Sequence, residues 1–402
     1  MFGNKVIGVN YGTLDLHGIE KKITWTELAE TAEEGATSIT LMPMQNSVIL
    51  DWQVGDEIVI ASTSFVGRDA EQRRITSISN ADSSPVITFD EPLVSKHYAG
   101  RQTFGTGANS EFIDMRAEVG LLTRNVVIRG DPVTSELKQY GANIRCASPG
   151  DETTVCRIDS VELYHVGQAF ILGAYPIHFH MIGTVHKSYV RNNAIHHTFN
   201  RAVTIHGVQY LRVQRNVVYQ TLGHSIFIED GAETKNLIEY NLVVDTRRSF
   251  SLLNTDTTPA SFWITNPDNI FRGNHAAGSD RYSYWFDLQL NPTGPSFDAN
   301  ICPGFQKLGE FTDNVAHSNG RYGLRIHNRL IPRTLQCKPI NYDTSSPSYN
   351  PPIIAEFKNL VSWKNQRNGA IIEQAGAIHW INFKTADNIL AGMEFSRADD
   401  NI

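Results

Sequence analysis

Short runs that alternate apolar and polar residues recur along the chain with period two, the period of a β-strand whose successive side chains face opposite sides. KVIGV and TLDLHG open the sequence, and TSITL, DEIVIAS, RRITSIS and PVITF follow. One segment reads differently. Residues 25–34 fit a short helix, with Thr24 or Thr26 as its cap and Gly35 as its stop. From about residue 120 short β-runs repeat to the end. The pattern predicts closing strands of a β domain over 1–20, a β-rich lead-in with one short helix over 21–119, and a repeat array over 120–402.

The repeat shows when an asparagine followed by apolar residues is used as the marker. Asn193, Asn216, Asn241, Asn274, Asn314 and Asn359 stand 23, 25, 33, 40 and 45 residues apart. A second strand keeps register with each marker. Twelve residues on are Ile205, Ile228, Leu253, Phe286, Ile326 and Ile371; ten on are Val203, Ile226, Ser251, Tyr284, Leu324 and Gly369. Two residues on are Ile195, Val218, Val243, Ala276, Ala316 and Val361. These sets read as the inward faces of two sheets, with extra length carried in loops after the second strand. Coils of this size, stacked about 4.8 Å apart, make an all-β fold, a right-handed parallel β-helix with a small N-terminal β lead-in. The asparagines would then stack as a structural ladder.

Outward positions carry the candidate chemistry. One residue beyond the inward set lie His206, Glu229, Asn254, Asp287, His327 and Ile372. In PIHFH, His178 and His180 share one face, so His180, His206 and Glu229 should stack on successive coils, with Asp230 next in line. Carboxylates paired with imidazoles can act as acid and base on a glycosidic bond. His178, His180 and His206 with a carboxylate also suit a zinc-like divalent metal. Calcium could use loop acids such as Asp287 and Asp298. A basic column, Arg201, Arg248, Arg281 and Arg321, would line the rim of the same sheet and grip the carboxylates of a polyanionic glycan. Trp285 is a candidate sugar platform, and His196-His197 reads as structural.

Composition narrows the classes. A net charge of −7 argues against nucleic acid as partner, and no apolar stretch is long enough for a membrane helix, so any membrane link would come from parts of the parent outside this chain. The N-terminus has no signal-peptide pattern, which reads as an excised segment. Four cysteines allow three pairings; local ones, Cys146 with Cys156 and Cys302 with Cys337, would staple two loops in an oxidising compartment.

Several motifs carry a family resemblance. YPIHFHMIG, AIHHTFNRAVTIHG, LGHSIFIEDGAE, SFWITNPDN, AAGSDRYSYWFD, PTGPS and LGEFTDNVAHSNGRYG resemble the family of fibrocystin-L, cell-migration-inducing hyaluronidase and transmembrane protein 2. The likeness covers nearly the whole chain, and LDLHG resembles the tail of that family's eight-glycine (G8) domain. NPDNIFRGNHAAGSDRY and NGRYGLRIHN are nearer to its fibrocystin-L branch. The hyaluronidases place an extra globular domain between segments matching LDLHG and WTEL, where this chain has about four residues. The resemblance implies an extracellular or cell-surface β-helix that binds polysaccharide, a uronic-acid glycan in the enzymes. It leaves two readings: a structural coat or adhesion module, or a hyaluronidase-like glycan depolymerase using His178, His180, His206, Glu229 and Asp230.

Overall fold

The computed structural model describes residues 3–44, 48–251 and 253–397. Its alternating runs form parallel strands in three long sheets. Sheet one has ten strands, beginning with Val6–Asn10, Asn143–Ala147, Ile177–Thr184, Val203–Gln209 and Ile226–Ile228 and ending with Ala391–Phe395. Sheets two and three have nine strands each, and the chain visits one, two and three in turn on every coil. This is a parallel β-helix. Local disulfides join Cys146 to Cys156 and Cys302 to Cys337.

Inward residues of the three sheets form one continuous apolar core, including Ile177, Phe179, Val203, Ile205, Ile226 and Ile228, all essentially without solvent contact. The asparagine ladder runs through five coils. Each side-chain amide of Asn193, Asn216, Asn241 and Asn274 donates to the next asparagine's Oδ1 at 2.9–3.1 Å. The same oxygens accept the backbone N–H of the asparagine before them, which satisfies polar groups that no water reaches.

Two coils depart from the expected register. On the Asn241 coil a short 3-10 turn, Asn254–Thr257, comes before the second strand, so Phe262 and Ile264 face inward in place of Ser251 and Leu253. That insertion brings Asp256 under Arg201, a contact invisible to spacing. On the Asn359 coil Val361 pairs with Val315, which sets Leu360 beneath Asn314 and moves Asn359 out of the ladder. Ala370 and Ile372 then face inward, and Ile371 joins an outer cluster with Phe227 and Trp285.

The lead-in is an antiparallel sheet in the order Trp25–Glu27, Glu118–Leu121, Glu57–Ile60, Glu71–Ser79, Val86–Phe89, Ser38–Thr40. It is inserted inside the first coil, between Thr13–His17 of sheet two and Val126–Arg129 of sheet three. The opening strands form the first rung of the β-helix: Val6–Asn10 pairs with Asn143–Ala147 and Thr13–His17 with Val155–Asp159. The helix expected over 25–34 does not form. Trp25–Glu27 pairs with residues 118–120, and bridges join Leu28 to Leu41 and Ala32 to His97. Leu28 and Ala32 are buried through these pairings with distant strands, which override a weak local helical preference. Val59, Ala61 and Leu122 seat the lead-in on Val217, Leu242 and Val244 of sheet three.

Candidate functional site

Sheet one points a compact ionisable cluster away from the core. In Ile177–Thr184, Ile177 and Phe179 plug the interior, so pleating sends His178 and His180 outward. Parallel register then sets His180 beside His206. Glu229 extends the following strand by one residue, its N–H donating to the Ile205 carbonyl at 3.0 Å, and Asp230 starts the turn beyond. His180 Nδ1 and His206 Nδ1 stand 3.1 Å apart. His206 Nε2 donates to Asp230 Oδ2 at 2.8 Å, while its Nδ1 lies 3.2 Å from Glu229 Oε2. His178 Nδ1 donates to the Gly173 carbonyl at 2.9 Å, and its Nε2 faces Glu229 Oε2 at 3.9 Å.

Burial and neighbouring charge drive these groups apart in proton affinity. Burial, reinforced by His180, lowers His178 far below the usual imidazole value. Burial with Arg145 and His206 brings His180 down to about 4. Burial alone would lower His206, yet its bond to Asp230 and the charge of Glu229 outweigh that and raise it. Glu229 is raised by burial; Asp230, despite burial, is lowered by the hydrogen bond from His206.

The turn after Asp230 is pinned from both sides. Glu233, buried and given no role of its own in the sequence reading, accepts the backbone N–H groups of Gly207, Asp230 and Gly231. The PTGPS loop lies over Asp230: Thr293 N–H donates to its carbonyl at 2.8 Å and Ser296 N–H to Oδ2 at 3.3 Å. Gly294 has φ +58°, and a Cβ there would come within 2.8 Å of Asp230 Oδ1, so this loop position requires glycine. His180 reaches a groove of about 420 Å³ that is also lined by Arg145, Tyr11, Asn10, Ser148 and Met181. Arg145 escaped the sequence reading because its strand lies two coils before Val203–Gln209, the first strand counted from a marker asparagine; register now places it beside His178.

The other candidates lie elsewhere. Arg201 is fully buried, bound to Asp256 at 2.7 Å and stacked 3.7 Å over the Phe227 ring, so it is a structural cation and not part of a substrate track. Arg248 and Arg281 surround Asp280, which Arg68 of the lead-in grips with three hydrogen bonds to its carboxylate. Arg321 approaches the Tyr282 hydroxyl at 3.4 Å. Spacing alone missed Asp256, the partner of Arg201, because it lies in the 254–257 turn. Trp285 is 5% exposed and packed against Trp263, Tyr282 and Arg325, which leaves no free ring face for a sugar. Asp287 contacts Gln289, and Asp298 contacts Asn300; the two are not part of any gathered set of three or more metal-type ligands among the described residues. Two such sets occur there, His178–His180–His206 and Glu27–Glu118–His275. In the second, Glu118 is already engaged by His275 at 2.6 Å and His317 at 3.0 Å, joining the lead-in to sheet three.

Fold and site together define a parallel β-helix that carries a buried-edge histidine–carboxylate centre on its first sheet. The CEMIP beta-helix family model matches residues 139–324, which contain the whole centre, and the G8 domain model matches residues 1–29. Mouse (Mus musculus) fibrocystin-L is 39% identical over 99% of this chain and 10% of its own length. The human (Homo sapiens) cell surface hyaluronidase CEMIP2 is 31% identical over 85% of this chain and 28% of its own length. The chain belongs to the family that contains fibrocystin-L and the CEMIP proteins, and it spans about a tenth of the length of fibrocystin-L. Among solved structures, the catalytic domain of a GH87 alpha-1,3-glucanase aligns over 96% of this chain and 100% of that one, with 10% identity and a TM-score of 0.35, a distance at which it says nothing of function.

Proposed function

We propose that the groove beside His180 takes an acidic polysaccharide outside the cell and that the adjoining centre cleaves its glycosidic bonds. One observation carries this reading: five ionisable side chains from three successive coils converge at the wall of an open groove that also holds a guanidinium. Arg145 is suited to a uronate carboxylate, because its planar fork matches one geometrically. His180 is the centre's member in contact with the groove, and Asp230 fixes the orientation of His206. Relatives named as a hyaluronan-binding protein and as cell surface hyaluronidases support an acidic glycan as the substrate class. Two disulfides accord with an oxidising, extracellular setting.

A second reading is glycan binding without cleavage, in a coat or adhesion role. It is favoured by the enclosure of the acids, since the side chains of Glu229 and Asp230 are only 17% and 7% exposed. The two readings separate when hyaluronan and sulfated uronic-acid polymers are incubated with the chain and sized over time. The expected result is shortening by wild type and none by His180→Ala, with the variant folded. Polymer that binds but keeps its length across pH and added divalent metals would overturn cleavage and leave the second reading.

A further inference from the structure

Four atoms of the centre, His178 Nε2, His180 Nδ1, His206 Nδ1 and Glu229 Oε2, crowd together. The Gly173 carbonyl can only accept, so the proton of neutral His178 sits on Nδ1 and its Nε2 carries a lone pair. Asp230 accepts the hydrogen bond from His206 Nε2–H, so the lone pair of the neutral ring sits on Nδ1. Glu229 Oε2 and His178 Nε2 are both buried and lack any hydrogen bond, and the His178 side chain is only 2% exposed. A buried lone pair facing a carboxylate oxygen and two further imidazoles is a costly arrangement unless something positive lies among them.

The spacings identify what fits. Zinc binds imidazole nitrogen and carboxylate oxygen at about 2.0–2.2 Å, so neighbouring corners of a tetrahedron lie about 3.3 Å apart. The observed edges are 3.1 Å for His180 Nδ1 to His206 Nδ1, 3.2 Å for His206 Nδ1 to Glu229 Oε2, and 3.9 Å for His178 Nε2 to Glu229 Oε2. The three histidines' ligand atoms all lie within 4.8 Å of one another. We infer that His178, His180, His206 and Glu229 bind one divalent transition metal of zinc type, with His206 oriented by Asp230 and His178 by the Gly173 carbonyl. Both orienting contacts are of the kind that hold metal-bound imidazoles, a carboxylate or a backbone carbonyl on the far ring nitrogen. Charge also balances, since Glu229 and Asp230 together offset a dication.

The inference concerns the same residues as the proposed glycan site but does not depend on cleavage, so it is tested without glycan. The 402-residue chain, stripped with a chelator and dialysed against zinc, should retain about one metal per chain. Cobalt in its place should give the strong visible absorption of a four-coordinate ion. His180→Ala and His206→Gln, each folded by circular dichroism, should lose the metal. Asp230→Asn should weaken binding roughly 10–100-fold while retaining it. Glu27→Gln, in the other ligand cluster, should bind as wild type does. A folded wild-type chain holding no more zinc than His180→Ala, or metal that persists when His180 and His206 are both replaced, would overturn the inference. A chain that binds zinc yet never shortens a polymer would overturn the cleavage reading alone; a chain that shortens a polymer yet retains no zinc after dialysis would overturn this inference alone.

Discussion

Replacing Asp256 with alanine should be among the most damaging single changes on the outer face of the β-helix. Arg201 has no solvent contact and the Asp256 side chain is 2% exposed; their two contacts measure 2.7 and 3.3 Å. Deleting one partner of such a pair strands a buried charge, which costs about 3–5 kcal/mol, or roughly two to four powers of ten in the folding equilibrium. Asp256 also accepts the backbone N–H of Leu253 at 3.2 Å, so the upper half of that range applies. Urea unfolding followed by tryptophan fluorescence is a suitable assay, because Trp263 and Trp285 lie in the cluster that packs around Phe227. The discriminating arm is the double variant Arg201→Met/Asp256→Leu. Removing both charges together should recover most of the loss, since apolar replacements of buried pairs are often neutral or stabilising. A loss below about 1 kcal/mol in Asp256→Ala, or a double variant as unstable as the single, would refute the argument that Arg201 is a structural cation.

Two further changes probe other parts of the fold. Burial pushes Glu27 up to about 7 from 4.5, so its contribution is complete below about pH 4.5 and is lost as pH rises to about 7, at most about 3 kcal/mol. Glu27→Gln should therefore be more stable than wild type at pH 8 and close to it at pH 4.5 in paired urea titrations; an equal difference at both pH values would contradict this. Asn241→Ala removes four ladder bonds, those from the N–H and side-chain amide of Asn216 and those to Val213 and Asn274. With these partners left unsatisfied in the core, a loss of about 2–4 kcal/mol is expected in thermal and urea unfolding. A loss under about 0.5 kcal/mol would mean that the ladder carries no load.

The sequence carried most of the architecture because a β-helix repeats its own constraints. Period-two alternation in PIHFH determines which side of the strand each histidine takes, and a constant offset from the asparagines determines which strands are neighbours. That made the His180–His206–Glu229 stack legible before any coordinates. Legibility failed where a contact depends on an insertion or a remote segment. The offset breaks at Leu253 because residues 254–257 intervene before the strand, and the partner of Arg201 lies inside that insertion. The segment at 25–34 looked helical because its strand partners are distant, at residues 118–120 and 41. Glu233 and the PTGPS loop carry no periodic signal at all; their roles arise from backbone N–H groups that only the folded turn presents.

The most direct test of the proposed site is a crystal structure of this chain soaked with an acidic oligosaccharide containing uronic acid. The expected density places a sugar ring in the groove with a carboxylate on Arg145 and a glycosidic oxygen facing His180. Sugar bound instead at the Arg248–Arg281 edge or on another sheet, with the groove beside His180 empty, would contradict the account.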